Sequence, residues 1–299
     1  MHMDQHIMES PLTKLITDSN RYLKCYHHYL KHSTDQQTMQ EFTNNLLPDI
    51  MTKTVNGKSN LNVIGVGSGS GELDLQMFSA LHRKYPKMTV DNEVIEPNPQ
   101  QLRCYRDLVS QTPGLDYIRF NWNKTTAEEF EEQWKEKKRT EKADLIHMFQ
   151  VLYYVKDPGA TISFFQSLLN KNGQLLITLS SGNVGVVKMR NAYKNQFGTT
   201  EVNRSTGDIR RFLDSKGVTY RSYDLPTQID ITKCFIEGNE EGEMMIDFLT
   251  QVLDFSKTAS PELKAGVMEF LRCPEFSVES NGKVLMNANY ELIVLEQLT

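Results

Sequence analysis

Glycine stands at every second position from 65 to 71 in the run Val63-Ile64-Gly65-Val66-Gly67-Ser68-Gly69-Ser70-Gly71-Glu72, directly behind an apolar segment and ahead of one with helical periodicity. A strand that turns this abruptly into a helix, with no Cβ to keep a ligand off its backbone, points to a parallel α/β sheet that binds something at its carboxyl edge. The neighbouring segments agree. Residues 62–66, 89–95, 116–120, 144–149 and 174–179 are short apolar runs separated by helical stretches. Near-continuous apolar runs belong to strands covered on both faces, so the expected core is a twisted parallel sheet. Two phosphate-binding readings of the glycines fail. A P-loop requires a Lys after its last glycine, and none stands here. The dinucleotide pattern G-x-G-x-x-G ends on Ser70 when started at Gly65 and on Glu72 when started at Gly67, which leaves a nicotinamide cofactor weakly supported.

Around this core the chain reads as helical. Residues 1–57 precede the first strand and carry Tyr22, Tyr26 and Tyr29 at i, i+4 and i+7, one face of a helix that by spacing alone reads as core packing. After the fifth strand, helical stretches are expected at 186–197, 206–216 and 239–255. Two late apolar runs, 284–286 and 290–295, read as an antiparallel pair closing the sheet. Lys and Arg number 33 against 38 Asp and Glu, a formal net charge of −5, so no broad phosphate-binding surface is expected and a small-molecule partner is favoured over nucleic acid. The opening MHMDQHIMESPL lacks the apolar run of a signal peptide, and no stretch approaches the ~20 apolar residues of a membrane span, so a cytoplasmic protein is expected. There the glycosylation sequons at Asn123 and Asn203 carry no meaning. Cys25, Cys104, Cys234 and Cys273 are dispersed without a CxxC, which suggests neither a disulfide framework nor a zinc ligand set.

Glu96 ends the second strand, where an acid accepts hydrogen bonds from both hydroxyls of an unphosphorylated ribose. Glu72 opens the helix after the glycines; an acid there complements the helix dipole, but it also disfavours a pyrophosphate and suits a ligand with a cationic amino group. Together these features indicate S-adenosylmethionine rather than a dinucleotide. His147 lies inside an apolar strand and is read as a core residue, not a base.

These residues, with the run Ile146-His147-Met148-Phe149-Gln150-Val151-Leu152-Tyr153-Tyr154-Val155-Lys156-Asp157 after the fourth strand, resemble class I methyltransferases of the histamine N-methyltransferase family. The resemblance extends over nearly the whole chain, through HSTDQQTMQEF (32–42), NEVIEP (92–97), CFIEGNEEG (234–242), DFLT (247–250), PEFS (274–277) and NGKVLMN (281–287). It implies a Rossmann-like α/β fold with a seven-stranded, mostly parallel sheet, an N-terminal helical cap and a mid-chain helical insertion. It also implies S-adenosylmethionine as methyl donor, no metal, and transfer to a ring nitrogen of an imidazole. A single methyltransferase domain over 1–299 is expected, with 1–57 as cap, 58–182 as cofactor-binding core, and 183–299 supplying insertion helices and C-terminal strands to the acceptor site of a monomer.

Position by position, the resemblance places Gly67, Glu96 and Gln101 against the cofactor. It places Ala127 and Phe149 around the adenine, where the family has Ser and Ile. Gln150, Tyr153 and Tyr154 fall near the methyl group and acceptor ring, orienting it without a general base. Tyr22, Tyr26, Tyr29 and Phe248 match the aromatic wall of the acceptor site. Four departures enlarge that site: Asp35 replaces a substrate-gripping Glu, Ala288 replaces an Asn, and Val186 and Arg190 replace two tryptophans. Arg also suits a carboxylate, because its planar fork donates two parallel hydrogen bonds. Carnosine, with an ammonium for Asp35 and a carboxylate for Arg190, is therefore expected over histamine. The alternatives are a histamine methyltransferase and a catalytically silent cofactor-binding module.

Overall fold

The computed structural model describes residues 12–198 and 204–298. The first eleven residues, read above as lacking a signal sequence, and the Asn203 sequon lie outside them. Ten strands are present among the described residues: β1 Asn60–Val66, β2 Thr89–Ile95, β3 Ile118–Asn123, β4 Ala143–Phe149, β5 Leu169–Ser180, β6 Tyr220–Leu225, β7 Gln228–Asp230, β8 Ser277–Ser280, β9 Lys283–Asn287 and β10 Tyr290–Glu296. The helices of eight residues or more are α1 Ser19–Lys31, α2 Glu72–Lys84, α3 Pro99–Gln111, α4 Ala127–Glu136, α5 Pro158–Ser167, α6 Gly185–Ala192, α7 Thr206–Ser215, α8 Glu240–Thr250 and α9 Pro261–Arg272. No helix among the described residues is long and apolar enough to cross a membrane.

The chain forms two compact units. The larger comprises Gln36–Gly182, Arg204–Pro226 and Asn289–Thr299, and contains a seven-stranded sheet in the order β3-β2-β1-β4-β5-β10-β6. Strands β1 to β5 pair in parallel, and β10 runs antiparallel to both of its neighbours. Alternation along each strand divides the core between the two faces. Ile64, Ile146 and Ile177 pack with Phe130 and Phe165 of α4 and α5, while Val63, Leu145 and Leu176 pack with Met77, Phe78 and Leu81 of α2. The strand order reverses between β1 and β4, and ligands in open parallel sheets bind outside the strand ends at such a point.

The smaller unit gathers the described parts of Met1–Asp35, Asn183–Asn203 and Thr227–Ala288. Its core joins Tyr29, Met189, Ile246, Leu249, Phe255, Val267 and Ala288, beside a three-stranded sheet in the order β7-β9-β8.

This last sheet corrects the expected pairing of 284–286 with 290–295. β9 is the antiparallel partner of β8 and β7, and β10 instead enters the large sheet between β5 and β6. The cause is local. Asn281 (φ 52°) and Gly282 (φ 74°) both adopt positive φ, the two-residue hairpin turn that Asn-Gly favours, and they fold β9 back on β8. The third strand, expected at 116–120, lies at Ile118–Asn123; its polar end is satisfied because Asn123 Nδ2 donates to Glu93 and to the carbonyl of Val94. The edge strand β6, Tyr-Arg-Ser-Tyr-Asp-Leu, lacks a continuous apolar run: Arg221, Ser222 and Asp224 are exposed, so nothing in the sequence marks it as a strand.

Candidate active site

Register puts the expected cofactor residues at one level of the large sheet. Val66 pairs with Ile95 and Gly65 with His147, so Gly67 just after β1, Glu96 just after β2 and Phe149 at the end of β4 lie at the same carboxyl edge. The glycine loop is tied down there through its backbone. The N–H of Gly67 donates to the carbonyl of Ile95 at 2.8 Å, and that of Gly69 donates to Glu96 Oε2 at 2.9 Å. Glu96 Oε1 accepts from the N–H of Asn98 at 2.8 Å. This carboxylate is only 7% exposed. It joins the loop to the start of α3, where Asn98 caps the N–H groups of Gln100 and Gln101.

Gly71 (φ 84°) ends the turn with no room for a side chain: a Cβ would stand 2.0 Å from the ring of Tyr105, whose hydroxyl donates to the buried Asp74. Gly69 (φ 57°) differs, because a Cβ there would meet nothing within 4 Å. Its outward side is open while its N–H is held, as a backbone approached by a ligand requires. Ala127 is buried at the first position of α4, fixed by the reciprocal cap between Thr126 and Glu129. Phe149 stacks on His147, ring centroids 4.9 Å apart, and meets Phe42 edge-on at 5.8 Å.

Beyond β4 the chain bends sharply. Gln150 adopts φ 55°, its N–H donates to the carbonyl of Thr178, and its side-chain Oε1 lies 2.9 Å from the Tyr153 hydroxyl. That hydroxyl also accepts from the N–H of Ser180 at 2.9 Å. Gln150 Nε2 is buried and has no hydrogen-bond partner, a donor that protein groups leave unsatisfied. Tyr154, by contrast, is 78% exposed, with its ring perpendicular to that of Tyr153. Sequence reasoning missed the residue that holds this bend. Arg204 donates to the carbonyls of Leu152, Val155 and Lys156, gathering three backbone oxygens of the loop with one guanidinium. No periodicity marks such an Arg.

His147 is 1% exposed, and burial holds its imidazole below the ordinary value, which keeps it neutral; Asp74 Oδ1 lies 3.3 Å from its Nε2. It is the core residue that its apolar strand implied. An open flank at Gly69, a buried carboxylate with lone pairs to spare at Glu96 and an orphaned donor at Gln150 fit an adenosyl ligand with polar groups.

The smaller unit carries the expected acceptor residues. Tyr22, Tyr26 and Tyr29 line one face of α1, and Phe248 of α8 packs against all three, its ring centroid 4.6 Å from that of Tyr29, 6.0 Å from Tyr26 and 6.4 Å from Tyr22. Tyr29 is buried, Tyr22 half-buried and Tyr26 exposed, so the stripe is core at one end and surface at the other. α1 and α8 are bound together beside it, where Arg21 donates through Nε and Nη2 to Oδ2 of Asp247, a carboxylate 1% exposed that also accepts from the N–H of Phe255. Burial raises the Asp247 carboxyl above its ordinary value, with Arg21 opposing.

Asp35 opens the helix Asp35–Glu41. Ala288 is buried in the cluster that contains Tyr29, and its N–H donates to the carbonyl of Thr227. Arg190 donates from Nε to the carbonyl of Leu249 at 2.7 Å and from Nη2 to that of Phe248 at 3.0 Å, at the carboxyl end of α8. Its expected role as a fork for a substrate carboxylate draws no support from this geometry. A cation that satisfies the last carbonyls of a helix is a structural cap.

Comparison with known proteins agrees with the fold and the loop chemistry. Residues 28–218 match the family model described as a methyltransferase domain. The histamine N-methyltransferase of Danio rerio is 50% identical over 291 residues, covering 97% of this chain and 100% of that protein. The histamine N-methyltransferase of Bos taurus is 40% identical over 291 residues, with 97% and 100% coverage. Among solved structures, the YcgJ protein of Bacillus subtilis superposes with a TM-score of 0.50 at 14% identity, over 85% of this chain and 99% of that one, a likeness of fold. The chain is thus a methyltransferase of the class I fold that uses S-adenosylmethionine, and it belongs to the histamine N-methyltransferase family.

Proposed function

We propose that the chain methylates a ring nitrogen of an imidazole and that histamine is the acceptor. Relatives that match almost its entire length are named for that activity. The observation that carries the choice between acceptors is Arg190. Carnosine requires a cation for its carboxylate, and the guanidinium expected to supply it is engaged with the carbonyls of Phe248 and Leu249. Histamine has no carboxylate and needs no such partner.

S-adenosylmethionine, when bound, supplies an electrophilic methyl group. Imidazole has a pKa near ~6.5 and is mostly neutral at physiological pH, so one ring nitrogen already offers a lone pair and no residue needs to act as a base. The protein's task is placement and exclusion of water. Glu96 accepts ribose hydroxyls on the lone pairs left over from Gly69 and Asn98, with Gly67 beside the cofactor and Gln101, Ala127 and Phe149 completing its surround. Gln150 orients the acceptor by hydrogen bonding, and Tyr153 fixes the Gln150 carboxamide. The aromatic side chains, Tyr154 in the larger unit and Tyr22, Tyr26, Tyr29 and Phe248 in the smaller, offer ring faces that suit a heteroaromatic acceptor and stabilise nearby positive charge. Asp35 takes the ammonium group, and Ala288 leaves space beside it.

The test is mass spectrometry of histamine, carnosine and other imidazoles incubated with the pure protein and the methyl donor. Methylated histamine as the main product is expected. Arg190→Ala should then alter kcat/KM for histamine and carnosine by the same factor, within about twofold. A preference for carnosine that disappears in Arg190→Ala would overturn the assignment.

A further inference from the structure

The donor atoms of His28, His32 and Glu241 all lie within 4.8 Å of one another. His28 and His32 project one turn apart from the carboxyl end of α1, their ring centroids 4.1 Å apart, and Glu241 comes from the first turn of α8. We propose that these three side chains form a binding site for a late first-row divalent cation, Zn2+ in the first instance, that joins α1 to α8. This inference is independent of which acceptor the enzyme uses.

Several features favour it. Two histidines at i and i+4 face the same way on a helix, the spacing by which helices present paired imidazoles to zinc. His32 Nδ1 lies 2.9 Å from the carbonyl oxygen of His28. The tautomer that satisfies this contact carries its proton on Nδ1 and leaves a lone pair on Nε2, and such backbone anchoring commonly orients metal-binding histidines. Burial, followed by the neighbouring His32, holds the His28 imidazole below its ordinary value, so it too is a neutral ligand at physiological pH. Lys233, which donates to Glu241, holds its carboxyl below the ordinary value and so ionised. Lys233 is the cation already present, and a metal ion would replace it as the partner of Glu241.

Donors on one tetrahedral zinc stand about 3.3 Å apart at bond lengths of ~2.0–2.1 Å, so modest rotations close the set. Two nitrogens, one carboxylate oxygen and a water make a common zinc coordination. The same helices meet farther along through Arg21 and Asp247, which gives the pair a second tie.

Calorimetric titration of the full, tag-free chain with ZnCl2, after chelator and dialysis, tests the proposal. One ion per chain is expected, with a Kd on the order of micromolar for a three-ligand site, and with Tm raised by about 5 °C at a hundredfold excess over Kd. His28→Ala and the conservative, partly exposed Glu241→Gln should each weaken binding by about tenfold or more while the metal-free Tm and circular dichroism stay near wild type. The double variant His2→Ala/His6→Ala should bind as wild type does. No heat of binding, or binding that survives His28→Ala and Glu241→Gln but is lost in the amino-terminal double variant, would overturn the site.

Discussion

The seven-stranded unit and the three-stranded unit hold their candidate site residues by different means. In the former the loop is fixed through backbone groups: Gly67 on Ile95, Gly69 on Glu96 and Gln150 on Thr178. In the latter, side chains do the fixing: Arg21 on Asp247, Arg190 on the end of α8, and Phe248 against three tyrosines. A place built from backbone resists added atoms where it is packed, as at Gly71, and tolerates them where it is open, as at Gly69. A place built from side-chain partnerships resists their removal, because the abandoned partner stays buried.

The largest effect should come from adding one carbon to the first region. Gly71→Ala forces a residue with a Cβ into positive φ and against Tyr105, at an expected cost of about 4 kcal/mol from strain and overpacking together. Urea denaturation measures it beside Gly69→Ala, where the space is open and the expected cost is only about 1 kcal/mol. Equal losses would break the contrast. Next is removal from the second region: Arg21→Met leaves Asp247 buried without its cation and should cost about 3 kcal/mol, at the low end for a buried pair because Arg21 is partly exposed. Affinity for the methyl donor should stay unchanged, and a parallel fall would show that the two regions are not separable.

Glu96→Gln sharpens the comparison further. An amide offers one acceptor oxygen where Gly69 and Asn98 use two, so cofactor affinity should fall by about thirtyfold, or ~2 kcal/mol, and Tm should fall with it, because one loop N–H is left facing the amide's own donors. Calorimetry with S-adenosylmethionine decides it. The smallest effect is expected at Arg204, a side-chain tie inside the backbone-held region. Arg204→Ala frees three carbonyls of the Gln150–Lys156 bend and should lower kcat by about tenfold while cofactor affinity holds. A change confined to Tm would reduce Arg204 to a structural role.

The same difference explains what could be read from the sequence. Strand-ending glycines and an acid after the second strand belong to the backbone-held region, where local chemistry dictates local shape, and β1, β2, β4 and the level of Gly67, Glu96 and Phe149 follow from it. The side-chain ties join residues far apart in sequence, Arg21 with Asp247 and Arg204 with Leu152, and no spacing announces them. Arg190 shows the hazard. Its charge was legible, but the oxygens that claim it are backbone atoms of another helix. The β8–β9 hairpin was legible through Asn281-Gly282, but apolarity alone does not tell the run at 284–286 from 290–295 by partner: β9 pairs with β8 and β7, and β10 with β5 and β6.

The position of β10 has a consequence for biosynthesis. This strand is last in order yet lies inside the sheet, hydrogen-bonded to β5 on one side and β6 on the other. A ribosome will have released the glycine loop, Glu96 and Gln150 long before the strand that separates those two neighbours emerges. Until then the apolar flank of β5 is an open edge, able to recruit β6 or another nascent chain in its place. Loss of β10 would therefore leave Gly67, Glu96 and Gln150 encoded and the sheet that aligns them unclosed.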